Sequence, residues 1–147
     1  MISIRKAIPG DEQSIFRLIN ELALYEKAPE QVTNTAEQLA IDLFKDEICE
    51  AIVATNNNEI LGFALYYISY STWKGRCLYL EDFYVQENHR NCGAGGMLFD
   101  KVTEIAKDLG VKRMDWQVLE WNQLALDFYK KRNSILDPEW VNGRLFF

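Results

Sequence analysis

Residues 85–96, Val85-Gln86-Glu87-Asn88-His89-Arg90-Asn91-Cys92-Gly93-Ala94-Gly95-Gly96, carry the strongest structural signal in this chain. The segment leads from a run of aromatic and branched residues into an amphipathic helical pattern, and it contains the spacing R-x-x-G-x-G. Glycines let backbone amides approach a ligand closely, and the start of a helix presents N–H groups and partial positive charge. The segment therefore predicts an anion site at a strand-to-helix turn, although the same glycines would also suit a tight turn that binds nothing.

Several common chemistries do not fit the sequence. A dinucleotide fingerprint needs a third glycine where Leu98 stands, and no Gly-Lys-Ser/Thr run is present for a Walker loop. The single histidine, His89, excludes two-histidine metal sites, and no G-x-S-x-G elbow is present for a Ser-His-Asp hydrolase. We therefore expect a reaction without a metal, in which carboxylates, tyrosines and backbone dipoles do the chemistry.

Composition limits the partners. The chain has 147 residues, 48% of them hydrophobic, and a net charge of −6, which is typical of one folded domain with an acidic surface. Such a surface repels nucleic acid and anionic lipid and attracts cations. No apolar run is long enough to cross a membrane, and residues 1–6 do not resemble a signal peptide, so we expect a cytoplasmic protein. The three cysteines, an odd number without C-x-x-C spacing, predict reduced thiols.

The hydrophobic pattern outside the glycine-rich segment predicts a single mixed α/β domain over residues 1–147. Strands are expected at 1–6, 51–55, 60–71, 78–85 and 113–118, with helices at 11–25, 35–44, about 98–109 and 122–131. Residues 144–147 could add a terminal strand. The helix before 113–118 implies a parallel crossover. The predicted architecture is a mixed, twisted central sheet flanked by helices.

The glycine-rich segment resembles a known family. Val85, Arg90, Gly93 and Gly95, placed between a strand and a helix, are similar to the acetyl-CoA pyrophosphate loop of the GNAT superfamily of N-acetyltransferases. Further segments resemble its spermidine/spermine and thialysine N-acetyltransferase branch: Leu22-Ala23 with Tyr25-Glu26, Gly62-Phe63-Ala64 with Tyr66-Tyr67, residues 78–83, Glu120-Trp121-Asn122 and Phe128-Tyr129-Lys130. The resemblance covers nearly the whole chain in order and implies a GNAT-like fold.

This resemblance implies where acetyl-CoA binds as co-substrate. The pantetheine arm would follow the backbone of Phe83, Tyr84 and Val85, and a strand N–H would steady the thioester oxygen. The pyrophosphate would bind the turn formed by Arg90, Asn91, Cys92, Gly93, Ala94, Gly95 and Gly96. Asn122 would hydrogen-bond the pantetheine or cap its own helix.

The resemblance also implies the catalytic groups. Glu81 matches the carboxylate at the acceptor amine, and Tyr129 matches the general acid beside the CoA sulfur. Tyr25, Glu26 and Trp73 resemble acceptor-side positions. Judged without the resemblance, Glu81 also fits an exposed or paired strand carboxylate, Tyr129 fits a core position, and the other three fit solvated loop positions.

Two local features complete the prediction. Asp82 alternates to the sheet face opposite Glu81, so both reach one site only if the strand bulges. Asn133 stands where the superfamily commonly has glycine, and asparagine also tolerates the left-handed conformation.

The predicted function is direct acetyl transfer from acetyl-CoA to a primary amine of a small cationic substrate: a polyamine, thialysine or a lysine-like diamine. We expect a homodimer without a metal. The alternatives are acetylation of a protein lysine or N-terminus, and a noncatalytic acyl-CoA-binding module.

Overall fold

The structure, a computed structural model, describes residues 1–147. The helices are α1 (Glu12–Tyr25), α2 (Ala36–Ala40), α3 (Ala94–Leu109) and α4 (Gln123–Lys130). The strands are β1 (Ile2–Lys6), β2 (Glu50–Asn56), β3 (Glu59–Ser71), β4 (Gly75–Val85) and β5 (Met114–Asp115). Each of the predicted helices is present, and α2 continues into a π-helical turn at Ile41–Lys45.

The five strands form one mixed sheet in the order β1-β2-β3-β4-β5. The first four strands pair antiparallel, and β5 runs parallel to β4 after the crossover through α3. The β2–β3 turn has Asn57 and Asn58 at φ 51° and 67°, because asparagine accepts the positive φ that a tight hairpin requires. The predicted mixed sheet and its parallel crossover are confirmed.

Helices cover both faces of this sheet. On one face, Ile15 and Leu18 of α1 and Leu39 of α2 pack in a buried cluster with Phe63 and Leu65 of β3. On the other face, α3 contacts strands β1 to β4. The amphipathic faces of the helices therefore supply the core on each side of the strands.

Two strand predictions need correction. The strand expected at 113–118 is limited to Met114–Asp115, because only Leu78 and Tyr79 of β4 pair with it. The terminal strand suggested for 144–147 is wrong: no strand lies beyond Asp115. Leu145, Phe146 and Phe147 are exposed, and a strand forms only where a neighbouring strand supplies hydrogen-bond partners.

The chain forms two compact units, Met1–Trp116 and Gln117–Phe147. The first contains the whole sheet and α1 to α3, and the second contains α4. One domain over residues 1–147 stays a prediction. None of the helices combines the length and apolar character needed to cross a bilayer.

Candidate active site

A β-bulge in β4 changes the direction of the acidic side chains. The β3–β4 register pairs Leu65 with Asp82, and the adjoining pair is Tyr66 with Leu80, so Glu81 is the extra residue. In a regular strand, Glu81 and Asp82 would point to opposite faces. Beyond the bulge, Asp82 lies opposite Leu65, which is part of the core against α1. The bulge therefore places Asp82 on the α1 face of the sheet.

Glu26, Glu81 and Asp82 form an acidic cluster on this face. Burial, followed by the charges of Glu81 and Glu26, raises the pKa of Asp82 to about 7. Burial also raises the pKa of Glu26, which is the C-cap of α1 and so lies at the negative end of the helix dipole. Each effect disfavours the charged carboxylate, and a bound cation would relieve it.

Two tyrosines accompany the acidic cluster. Tyr67 of β3 and Tyr79 of β4 are cross-strand partners with ring centres 5.4 Å apart. Burial, followed by the charge of Glu81, raises the pKa of both phenols. Aromatic faces next to carboxylates are a common surrounding for an ammonium group. The site therefore has the chemistry of a cation pocket.

The predicted acceptor-side residues divide into two groups. Tyr25 and Glu26 lie at the end of α1, and Glu26 interacts with Asp82. Trp73 lies in the β3–β4 turn, where its backbone N–H donates to Ser71 Oγ at 3.2 Å and 82% of the residue is exposed. The structure gives no contact between Trp73 and the carboxylates.

The glycine turn has the geometry of a helix N-terminus open to an anion. Gly93 caps α3 with φ +87°, a conformation that only glycine adopts without strain. The first α3 hydrogen bond runs from Met97 N to Gly93 O at 3.0 Å. The amides of Ala94, Gly95 and Gly96 precede it and have no partner within the helix. The predicted strand-to-helix turn is confirmed.

The edge of β4 beyond Tyr79 has no strand partner on the β5 side. Gln86 N–H donates to Leu61 O of β3 at 2.9 Å. Because backbone groups alternate between the two edges of a strand, the N–H and C=O of Phe83 and Val85 point away from β3. An extended ligand with amide groups could pair there as an added strand.

Three of the predicted cofactor residues have other contacts. Tyr84 OH donates to Glu21 Oε1 at 3.4 Å, so this side chain is directed to α1. Cys92 is exposed, and its thiol donates to His89 O at 2.6 Å. Asn122 Oδ1 accepts from Ala125 N–H at 3.2 Å, so it caps α4.

Tyr129 belongs to the second unit. It is buried in α4 with 6% of its surface exposed, and its ring centre lies 5.5 Å from that of Phe128. Ser134 Oγ donates to Tyr129 O at 2.8 Å. Asn133 has φ +60°, so the predicted left-handed turn after α4 is confirmed. The acid role of Tyr129 stays a prediction.

Sequence reasoning did not select Asp82, Tyr67, Tyr79 or Glu21 as site residues. The period of two assigns Asp82 to the opposite face, and only the bulge reverses this. The two tyrosines look like ordinary strand residues until the β3–β4 register makes them neighbours. Glu21 lies in the middle of a regular helix, and the sequence gives no sign of its partners.

Comparison with known proteins identifies the family. A model of the acetyltransferase (GNAT) family matches residues 13–133. The chain belongs to the GNAT acetyltransferase family. A thialysine N-epsilon-acetyltransferase of Bos taurus is 42% identical to this GNAT protein over 138 residues, which are 88% of this chain and 81% of the relative. The predicted resemblance is thereby confirmed.

Two further GNAT-related matches agree. The spermidine/spermine N(1)-acetyltransferase-like protein 1 of Homo sapiens is 34% identical over 140 residues, which are 90% of this chain and 20% of that protein. A solved aminoglycoside acetyltransferase from an uncultured soil metagenomic sample is 19% identical with a TM-score of 0.81, covering 99% of this chain and 96% of that one. This last similarity establishes the fold alone.

Proposed function

We propose that this GNAT-family enzyme transfers the acetyl group of acetyl-CoA to a primary amine of a small cationic substrate, such as a polyamine, thialysine or a lysine-like diamine. The observation that carries the proposal is the cluster of Glu26, Glu81 and Asp82 beside two tyrosines. Glu81 and Asp82 lie on β4, the strand that precedes the glycine turn, and Glu26 lies at the end of α1. The names of the relatives point to the same class of acceptor.

We assign the acetyl-CoA contacts to backbone groups. The amides at the start of α3, from Gly93 to Gly96, would bind the pyrophosphate, together with the rest of the turn from Arg90. The β4 edge that faces away from β3 at Phe83 and Val85 would pair with the pantetheine amides, and one of its N–H groups would hold the thioester oxygen as negative charge develops there. The bound thioester supplies an activated acetyl group.

The acceptor amine must lose a proton before it can attack. A free alkyl ammonium group has a pKa near 10.4, and we propose that Glu81 holds it and takes the proton, directly or through water. Asp82 and Glu26 add negative potential, which favours binding of the cation. Tyr129 would then give a proton to the departing thiolate, and the second proton lost by the acetylated nitrogen would restore its hydroxyl. All atoms of the acetyl group pass to the amine nitrogen, and the thiol and one proton leave.

The proposal also includes the cytoplasm as the location and a homodimer as the assembly. The acidic composition supports a soluble protein, and the dimer follows from the family resemblance alone. Sedimentation analysis at micromolar concentration tests the dimer, and a monomeric species would remove it from the proposal.

A panel of acceptors tests the function. Purified protein is incubated with acetyl-CoA and one amine at a time, and release of the CoA thiol is measured. We expect turnover with diamines and polyamines, and little with neutral or anionic amines of the same length. Binding of CoA without thiol release for any amine would favour a noncatalytic module, whereas turnover restricted to a lysine peptide or a peptide N-terminus would favour a protein acetyltransferase.

The Glu81→Gln variant tests the residue at the centre of the mechanism. It keeps the shape of the side chain and removes its charge, so turnover should fall by about 10² or more. Glu59→Gln, at the exposed turn between β2 and β3, is the matched control and should keep wild-type turnover. Equal rates in the Glu81→Gln variant and the wild type would assign Glu81 to structure.

A further inference from the structure

Arg90 joins the end of α1 to the glycine turn. Its guanidinium carbon lies 4.9 Å from the ring centre of Tyr25 and 5.8 Å from that of Tyr84. Its Nε donates to Val85 O at 3.4 Å. A guanidinium within about 6 Å of an aromatic ring centre is attracted to the ring face. The side chain therefore links the last turn of α1 to the end of β4.

A second group of contacts follows the same side of α1. Arg17, Glu21 and Tyr25 are spaced four residues apart and share one helix face. Glu21 accepts hydrogen bonds from Tyr84 OH at 3.4 Å and from Gln86 Nε2 at 3.2 Å. The Arg17 guanidinium lies 3.8 Å from the same carboxylate. This face of α1 is thus attached to β4 and to the first residue of the loop.

We propose that Arg90 is a positioning residue that couples the glycine turn to the amine side of the site through Tyr25. Tyr25 is followed directly by Glu26, which caps α1 and acts on Asp82. A shift of the glycine turn would therefore move Tyr25 and, through it, the carboxylates of Glu26 and Asp82. The guanidinium faces two rings, so the amides of the turn rather than this side chain bind phosphate. The amine side of this inference rests on the proposed function.

A double-mutant cycle tests the coupling. Arg90→Met removes the charge and keeps the length, and Tyr25→Leu removes the ring. Tyr25→Phe keeps the ring and serves as the conservative variant, while Arg113→Met, on an arginine paired with Asp115, is the control. The KM of the amine, kcat and the dissociation constant of coenzyme A are measured for each variant.

We expect Arg90→Met and Tyr25→Leu each to raise the KM of the amine and the dissociation constant of coenzyme A by about 3- to 10-fold, the range for a half-exposed cation–π contact. The value of kcat should change by less than about twofold, because neither residue touches the reacting atoms. In the double variant, the KM of the amine and the dissociation constant of coenzyme A should be no higher than in the more impaired of the two single variants. Arg113→Met should match the wild type, and Tyr25→Phe should keep the coupling to Arg90 because it retains the ring.

Two results would overturn the inference. If Arg90→Met weakens coenzyme A binding while Tyr25→Leu leaves it unchanged, Arg90 acts on the phosphates directly. If the effects of the two substitutions multiply in the double variant, the residues act independently. Should Arg90→Met not fold, the difference between Tyr25→Leu and Tyr25→Phe decides the case. Wild-type protein inactive on every amine would refute the proposed function only, since the coenzyme A titrations still test the coupling.

Discussion

Asp82 gives the site a titratable group close to neutral pH. Its pKa of about 7 lies above the ordinary value of 3.8 because of burial and two neighbouring carboxylates. Between pH 3.8 and about pH 7, the Asp82 carboxyl is protonated in the folded protein and ionised in the unfolded chain. Its contribution to the free energy of unfolding is therefore present at low pH and is lost as the pH rises through 7.

Asp82→Asn should remove this pH dependence. We expect a melting temperature about 2 to 6 °C above wild type at pH 8, corresponding to roughly 1 to 2 kcal/mol after allowance for partial exposure. At pH 3 the two proteins should melt together, because both side chains are then neutral. Thermal unfolding followed by circular dichroism at both pH values is the measurement. If the variant and the wild type differ in melting temperature by the same amount at pH 3 and pH 8, the raised pKa of Asp82 is contradicted.

Tyr129→Phe tests the general acid. The substitution removes one oxygen from a buried side chain, so the packing is nearly kept. We expect turnover to fall toward the lower end of the 10²- to 10⁴-fold range, because a thiolate with a pKa near 8.5 is already a tolerable leaving group. Turnover against pH and calorimetric CoA affinity are compared with wild type. Unchanged turnover would mean that Tyr129 only packs in the core and is not the general acid.

The site residues were only partly predictable for a physical reason. The glycine turn is a local signal, carried by residue type and spacing, whereas the role predicted for Glu81 rests on the family resemblance. Asp82 depends on a bulge, and Tyr67 meets Tyr79 only through the β3–β4 register, which is set by packing across the sheet. The contact between Arg90 and Tyr25 joins residues that are 65 positions apart in sequence. No sequence pattern in either segment predicts such a contact.

At the level of elements, helix α1 ends in a hydrogen-bond pattern that normally uses glycine. Ala28 N–H donates to Ala23 O at 2.9 Å and Lys27 N–H donates to Leu24 O at 3.0 Å, which is a Schellman motif. Lys27 holds the left-handed position with φ +63°. A side chain in that conformation costs about 1 to 2 kcal/mol.

Lys27→Gly should therefore stabilise the protein. We expect a gain of about 0.5 to 1 kcal/mol, or about 1 to 4 °C in melting temperature. Lys27→Ala is the matched control, because it shortens the side chain but keeps the strained Cβ. Urea denaturation of the three proteins measures the effect, and an equal gain in both variants would mean that the lysine side chain, not its backbone, is the source.

The first turn of α3 depends on close packing against β4. A Cβ added at Gly95 would lie 3.6 Å from Phe83 Cζ and 3.9 Å from Val85 Cγ2. Alanine therefore fits, whereas the branched side chain of valine would press the helix start away from the strand.

Gly95→Val should raise the KM of acetyl-CoA by about 10-fold or more, since the leading amides would no longer be positioned for the pyrophosphate. Gly95→Ala should have a much smaller effect. The KM of acetyl-CoA is determined for both variants, with melting temperatures to verify folding. An unchanged KM in folded Gly95→Val would place the pyrophosphate elsewhere.

Elements were more predictable than the site because periodicity acts locally. The helix expected at 11–25 and the strands expected at 51–55 and 60–71 formed as predicted, since each has its own hydrophobic pattern. The strand at 113–118 was overestimated because its length depends on how far β4 stays alongside it. The apolar run at 144–147 has strand composition but no strand partner.

For the whole molecule, net charge acts oppositely on the two proposed substrates. The chain carries −6, so a polycationic amine is attracted over long range and the polyanionic acetyl-CoA is repelled. Salt screens both interactions, with a Debye length that falls from about 30 Å at 0.01 M to about 8 Å at 0.15 M.

Raising NaCl from 10 to 150 mM should increase the KM of a polyamine by about 3-fold or more, while the KM of acetyl-CoA should stay constant or fall. Initial rates at constant pH, with each substrate varied in turn, provide the measurement. Glu59→Gln, which changes the net charge by one at a distant turn, is a useful comparison and should behave like wild type. Parallel rises in both KM values would contradict the charge argument.

The part of β4 beyond its pairing with β5 has a consequence for handling the protein. An open strand edge rich in apolar residues is a template for association between chains, and charged residues within it oppose such pairing. Leu80-Glu81-Asp82-Phe83-Tyr84-Val85 has two carboxylates in this position. Glu81, whose side chain is exposed, is therefore expected to act also as a gatekeeper against aggregation. A neutral replacement at Glu81 should lower the concentration at which the protein stays dispersed, and samples of this variant keep best when dilute.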